Sequence, residues 1–199
     1  MRNVRLILWA AVALVAIFGA VLMLRPSTIP QSVPQASPMV DNYGGPFTLT
    51  GSDGQPFSSA RLAGKPFAIF FGFTHCPDVC PTTLARMTRL RKAVGKGDDA
   101  FAIVFVTVDP ERDKPADMGR YTGLFGSPVI GLTGSPAAIG QVKKQYGIFS
   151  KRVRQPGGDY SVDHTATVLL FDRAGKFTST IATDEGDAPA FDKLKALTS

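Results

Sequence analysis

Residues 65–94 read KPFAIFFGFTHCPDVCPTTLARMTRLRKAV. Lys65 to Phe73 form a nearly continuous apolar run, the pattern of a strand buried on both faces of a sheet. After Pro81 the period changes: Leu84, Met87, Leu90, Arg91 and Val94 recur near helical spacing, and Gly95 stops the helix. Between strand and helix lie Cys76 and Cys80, the only two cysteines of the chain, each followed directly by a proline, Pro77 and Pro81. Open α/β sheets gather their sites outside the carboxyl ends of their strands, so chemistry belongs at this junction.

Working outward, strand and helix signals alternate. PFTLTGSDGQPFSS (46–59) is a hairpin with Asp53-Gly54 at its turn. Phe101 to Asp109 is a second buried strand, and SPVIGLTG (127–134) holds a shorter one. Ser135 and Pro136 open a further helix as cap and first residue. HTATVLLFD (164–172) and KFTSTIA (176–182) flank a turn as an antiparallel pair, and a last helix begins at Asp187. Parallel strands with helical crossovers, closed by an antiparallel hairpin, predict a three-layer α/β domain with a mixed β-sheet over residues 41–199. A C-x-x-x-C at a strand-to-helix junction in that setting predicts a thioredoxin-like domain.

The amino-terminal residues read differently. Leu6 to Leu24 contain no charge and no strong hydrogen-bonding side chain, and as a helix they would cover about 28 Å, close to the thickness of bilayer hydrocarbon. A cleaved signal peptide would be shorter and followed by a small-residue cleavage site, which MLRPSTIP does not offer; a buried helix would carry a polar stripe. Residues 1–25 therefore read as an uncleaved membrane anchor, with the transmembrane helix over about 6–24. Arg2 and Arg5 precede the span and Arg25 follows it, which orients the N-terminus to the cytoplasm. The expectation is a single pass through a bacterial inner membrane with the domain in the periplasm. Residues 26–40, with prolines at 26, 30, 34 and 38, are an extended linker reaching about 40 to 45 Å.

The chain has a net charge of +6, three of it from Arg2, Arg5 and Arg25, so the remainder carries only +3. That mild, scattered excess argues against nucleic acid. The basic loop KKQYGIFSKRVRQPGGDY (143–160) offers Lys143, Lys144, Lys151, Arg152 and Arg154 either to solvent or to an acidic partner.

Two sulfurs spaced like Cys76 and Cys80 can be a staple, a redox pair or a metal clamp. A disulfide closing so short a loop removes little chain entropy, which disfavours the staple. Pro81 suits the first helical position, making Cys80 the N-cap, where the helix dipole would lower its pKa. That chemistry serves redox exchange or metal binding alike. A metal needs further ligands, and the chain has two histidines, His75 and His164. His75 adjoins Cys76 and would point the other way. His164 follows a Gly-rich loop: from its position alone it reads more readily as a surface or strand-capping residue, although in a thioredoxin-like sheet that loop would lie against the cysteine loop. Two thiolates and one imidazole suit Cu(I), with Cu(II) accommodated by an added ligand; zinc usually takes a fourth Cys or His, which is lacking.

FFGFTHCPDVCPTTL (70–84), VFVTVDPERD (104–113), YGIF (146–149) and DYSVDHTATVLLFDRAGK (159–176) together resemble the SCO/SenC family, membrane-anchored thioredoxin-like proteins of cytochrome c oxidase assembly. The resemblance implies copper, as Cu(I), Cu(II) or both, on Cys76, Cys80 and His164. It also implies that the two cysteines alternate between dithiol and disulfide, and that Asp78 and Asp163 stand beside the ligands. The implied role is a copper metallochaperone delivering to the dinuclear copper site of the oxidase's copper-site subunit. The alternative is a thiol–disulfide oxidoreductase keeping that subunit's cysteines reduced. A periplasmic copper donor and a thioredoxin-like reductant are the further partners it suggests. Thr74 and Cys76-Pro77 are faintly similar to a peroxiredoxin-type peroxidase site, which the downstream Asp163-His164-Thr165 fits less well.

Overall fold

The computed structural model describes residues 43–199. The expected anchor and linker, residues 1–40, lie outside them; among the described residues no helix is long and apolar enough to cross a membrane.

Seven strands form one mixed sheet in the order β2-β1-β5-β4-β3-β8-β9. At its centre are β3 (Phe67–Gly72) and β4 (Ala102–Thr107), paired in parallel from Phe67 opposite Ala102 to Gly72 opposite Thr107. Both strands are buried at every residue, as their unbroken apolar runs require. β5 (Ile130–Thr133) extends the parallel part beyond β4. The amino-terminal hairpin, β1 (Thr48–Gly51) with β2 (Pro56–Ser58), closes that edge antiparallel. On the other side β8 (Val168–Phe171) runs antiparallel to β3 and pairs with β9 (Phe177–Ile181).

Period-two alternation sorts the central side chains into two cores. Phe67, Ile69 and Phe71 point to one face with Val104 and Val106, where Ile139 and Val142 of α3 (Pro136–Gln145) cover them. Ala68, Phe70, Ile103 and Phe105 point to the other. There they meet Leu84, Met87 and Leu90 of α1 (Val79–Ala93), Met118 of α2 (Pro115–Thr122) and Leu194 of α4 (Asp187–Leu197). Each such fully buried large side chain contributes about 1.5–3 kcal/mol of transfer free energy, so the two-sided strands β3 and β4 are the anchor of the fold. Helices on both faces of a mixed sheet give the three layers expected from the alternation of strand and helix signals.

Three local readings need correction. The helix after the cysteines begins at Val79, with Asp78 as N-cap, so Cys80 sits in its first turn rather than capping it. The backbone at Asp78 already accepts the Thr82 N–H at 3.1 Å, and Pro81 is tolerated inside the first turn because its missing N–H has no intrahelical partner there. Second, His164 does not open the strand of Val168–Phe171. It ends a separate strand, β7 (Tyr160–His164), which pairs antiparallel with β6 (Ser150–Arg154), His164 facing Ser150. Third, the basic loop is therefore mostly this hairpin, turned at Gly157 and Gly158, whose φ angles of +90° and +89° glycine adopts without strain.

Candidate metal centre

β3 ends at Gly72, and the chain folds back at once: the Cys76 N–H donates to the Phe73 carbonyl at 3.2 Å. That turn puts Cys76, half-buried, over the start of α1 and Cys80, fully buried, inside it. The Cys80 N–H donates to Cys76 Sγ at 3.4 Å, so the outer sulfur, not the inner one, receives the helix N-terminus. Both cysteines are free thiols.

From the opposite side, β7 delivers His164. Its Nε2 lies 3.7 Å from Cys80 Sγ, while Nδ1 lies 3.0 Å from the Thr165 carbonyl. A carbonyl only accepts, so Nδ1 carries a proton and it is Nε2 that faces the sulfurs, where it can donate to a thiolate or, once deprotonated, offer its lone pair to a metal. Phe73 and Phe70 stand edge-on to the imidazole with centroids 5.8 and 6.2 Å away, walling it off from water on one side. The sulfurs and the imidazole nitrogen lie within 4.8 Å of one another, and among the described residues no other group of His, Cys, Asp or Glu could hold a metal. Two polarisable thiolates with one nitrogen are the donor set of a soft, low-coordinate ion.

The two thiols are not equivalent. Cys76 is lowered to about 4, first by the Cys80 thiol bonded to it, then by His164 and by the backbone N–H groups of Cys80 and Asp78, against the opposing effect of burial. Cys80 is pushed up, by the neighbouring Cys76 sulfur first and by burial second. The pair thus holds one proton, kept by the inner sulfur, and the accessible Cys76 is the nucleophile and first ligand. This reverses the expectation that Cys80 would be the low-pKa thiol: the inner thiol donates to the outer sulfur and burial holds the inner proton, with the Cys80 N–H adding to the pull on Cys76.

Gly72 makes the arrangement possible, a role the sequence reading missed. A Cβ at this position would lie 2.6 Å from Cys80 Sγ and 2.8 Å from the Phe105 ring. A glycine inside an otherwise bulky buried strand marks close approach of another group, and here the group is a ligand sulfur.

The remaining candidates fall further out. His75 is turned away, its Nδ1 3.1 Å from Thr74 Oγ1 and 3.6 Å from Asp113 Oδ1. Thr74 gives its hydroxyl proton to Asp113 Oδ1 at 2.6 Å, which occupies the group a peroxidase site would need. Asp78 touches the site through its backbone; its carboxylate accepts from Thr82 Oγ1 at 3.1 Å. Asp163 is exposed on β7, opposite Lys151. Of the five basic residues, Lys143 donates to Ser150 Oγ at 2.6 Å and Arg152 pairs with Glu111 at 2.7 Å, leaving Lys144, Lys151 and Arg154 at the surface.

A C-x-x-x-C pair at the carboxyl end of a central strand, faced by one histidine, defines a thioredoxin-like protein with a donor set suited to a soft metal. The SCO1/SenC family model matches residues 35–199, and the chain belongs to that family. An SCO2-like protein of Rickettsia conorii is 38% identical over 136 residues, which cover 67% of this chain and 66% of its own length. The chain thus matches about two thirds of that relative. Copper-bound ScoI of Bradyrhizobium japonicum superimposes with a TM-score of 0.71 at 43% identity, over 78% of this chain and 99% of that one. BsSco, described as a member of the Sco family of cytochrome c oxidase assembly proteins with a disulfide switch, matches with a TM-score of 0.63 at 25% identity, over 80% of this chain and 95% of its own.

Proposed function

We propose that this protein is a copper metallochaperone that carries copper on Cys76, Cys80 and His164 and delivers it to the dinuclear copper site of cytochrome c oxidase during assembly. The observation that carries the reading is the convergence of two sulfurs and one imidazole nitrogen within 4.8 Å. Cys76 reaches the surface already as a thiolate, and the Cys80 proton must leave when the cargo ion enters, so loading releases protons. The complex of Cu(I) with two thiolates and a neutral imidazole has a charge near −1, which the first turn of α1 offsets. Copper-bound ScoI supports the cargo, and the description of BsSco supports the oxidase as destination. The apolar segment 6–24 and the proline-spaced linker support a membrane tether that keeps the domain near a membrane-bound target.

The test is transfer of copper from the loaded, reduced protein to the copper-site subunit of the oxidase. His164→Ala is expected to load poorly and transfer little; full biological activity in that variant would sink the reading.

A second reading has its own observation. An accessible thiolate beside a buried thiol is also the arrangement of a thiol–disulfide oxidoreductase, and the disulfide switch of BsSco agrees with it. In that role Cys76 attacks a partner disulfide and Cys80 resolves the mixed disulfide, leaving the partner's cysteines reduced and this pair oxidised. Reduction by the His164→Ala variant at the wild-type rate separates this activity from metal delivery.

A further inference from the structure

We propose that the turn Asp109–Asp113, Asp-Pro-Glu-Arg-Asp, is a positioning device that sets the distance between the cysteine loop and His164. It grips one with the Asp113 carboxylate and the other with the Asp109 carboxylate. The inference rests on the reading of Cys76, Cys80 and His164 as a shared site, but its first test needs no metal.

Both carboxylates are buried, at 1% and 0% exposure, although neither belongs to the ligand group. Burying a carboxylate is costly unless its oxygens are filled, so their partners reveal what the turn holds. Asp113 holds the cysteine side. Its Oδ2 accepts from the Thr74 N–H at 3.0 Å and from Thr107 Oγ1 at 2.6 Å, while Oδ1 accepts from Thr74 Oγ1 at 2.6 Å. Thr74 is two residues from Cys76. Asp109 holds the histidine side: its Oδ1 accepts from the Tyr160 hydroxyl at 2.9 Å, and its Oδ2 from Arg112 Nε at 2.5 Å. Arg112 then reaches the same hairpin, donating to the Tyr160 carbonyl at 3.0 Å and to Asp159 Oδ1 at 3.2 Å.

Arg112 also joins the two grips. Its guanidinium lies 3.8 Å from the Tyr160 ring centroid and 5.8 Å from that of Phe73, the same Phe73 that stands edge-on to His164. The two carboxylates are themselves fixed to each other, since the Asp113 N–H donates to the Asp109 carbonyl at 3.0 Å.

Tyr160 and His164 are the two ends of β7, so a displacement of one is passed along the strand to the other. β7 pairs with β6 alone and not with the seven-stranded sheet, and in the whole hairpin only Val162 is buried. Side-chain bonds and the packing of Val162 and Tyr160, not a backbone ladder to the main sheet, therefore decide where the hairpin holds His164.

The test uses the reduced, metal-free full-length protein with its two histidines isotopically labelled. Tyr160→Phe keeps the ring and removes the bond to Asp109; Asp109→Asn removes the charge and serves as the second variant. In wild type the ring currents of Phe73 and Phe70, 5.8 and 6.2 Å away, are expected to displace the His164 ring protons. In both variants they are expected to move toward free-histidine positions while His75 stays put and amide exchange quickens in residues 150–164. Unchanged His164 resonances would overturn the proposal. A second arm measures Cu(I) affinity against a competing chelator. Each variant is expected to bind about ten-fold more weakly than wild type, and to add no further loss on a His164→Ala background. An equal loss on that background would show that the turn does not act through His164 and would overturn the proposal. Should the wild type bind no Cu(I) while the His164 resonances move as expected, the copper reading fails and the positioning role stands.

Discussion

The two halves of the centre are built by different means. Cys76 and Cys80 hang from β3, buried at every residue, and from α1, whose inner face of Leu84, Met87 and Leu90 packs on the sheet. His164 hangs from a hairpin that lies outside the main sheet and exposes most of its residues. The sulfurs are therefore placed by the core and share its stability, whereas the imidazole is placed by a two-stranded hairpin that meets the core through Val162 and Tyr160 and is otherwise held by a handful of side-chain bonds. A ligand on a weakly held element can be released before the others, which would suit the proposed delivery of the ion.

The sharpest way to break this comparison is at the sulfurs. Cys76→Ser or Cys80→Ala is expected to abolish Cu(I) binding in a chelator competition, since one thiolate and one imidazole make a poor soft site. If either variant bound at wild-type strength, the rigid half would not be the primary anchor. Next comes His164→Ala, expected to weaken binding by less than the loss of either sulfur in the same assay; an equal or larger loss would reverse the assignment of strong and weak halves. Gly72→Ala attacks the rigid half from behind. The new methyl group must displace Cys80 Sγ or Phe105, costing about 1–3 kcal/mol in chemical denaturation and weakening Cu(I) binding with it. Unchanged stability and binding would show that the sulfur has room the structure does not give it.

A pH series sharpens the difference between the two thiols. Cys76 has a depressed pKa, so its thiolate and the stability linked to it are complete above the ordinary thiol value of 9.0 and lost as pH falls toward about 4. Alkylation of Cys76 by iodoacetamide should therefore stay near its plateau from pH 8 to 5 and collapse only near 4, while Cys80 stays unreactive until the protein unfolds. An alkylation midpoint near 9 for Cys76 would contradict the single-proton pair. The smallest effect is expected from Asp163→Asn: with an exposed carboxylate opposite Lys151, Cu(I) affinity should change by less than about three-fold.

The rigid half was the legible half. Unbroken apolar runs identify β3 and β4 because burial on both faces leaves no polar position, and Ser135-Pro136 marks its helix through a cap that does form, Ala138 N–H to Ser135 Oγ at 3.1 Å. The cysteines announced themselves by type and spacing. The hairpin carrying His164 did not, since SKRVR and YSVDH put Val162 on one face and Val153 on the other, too few apolar residues on either for period two to show. Which sulfur ionises first also escaped the sequence, because it depends on which thiol is buried and donates to the other, and in part on where α1 starts. A helix beginning at Val79 hands the Cys80 N–H to Cys76, and Pro81 alone does not reveal that start. The buried roles of Asp109 and Asp113 were hidden for a plainer reason: acidic residues after a strand normally read as a solvated turn.

The central claim is that one ion is held jointly by a core-borne pair of sulfurs and a hairpin-borne imidazole. Titration of the reduced protein with Cu(I), followed by X-ray absorption at the copper edge, tests it most directly. The account predicts one tightly bound copper per chain, with two sulfur scatterers and one imidazole nitrogen that disappears in His164→Ala. No stoichiometric binding, or a copper environment of sulfur alone that His164→Ala leaves unchanged, would contradict it.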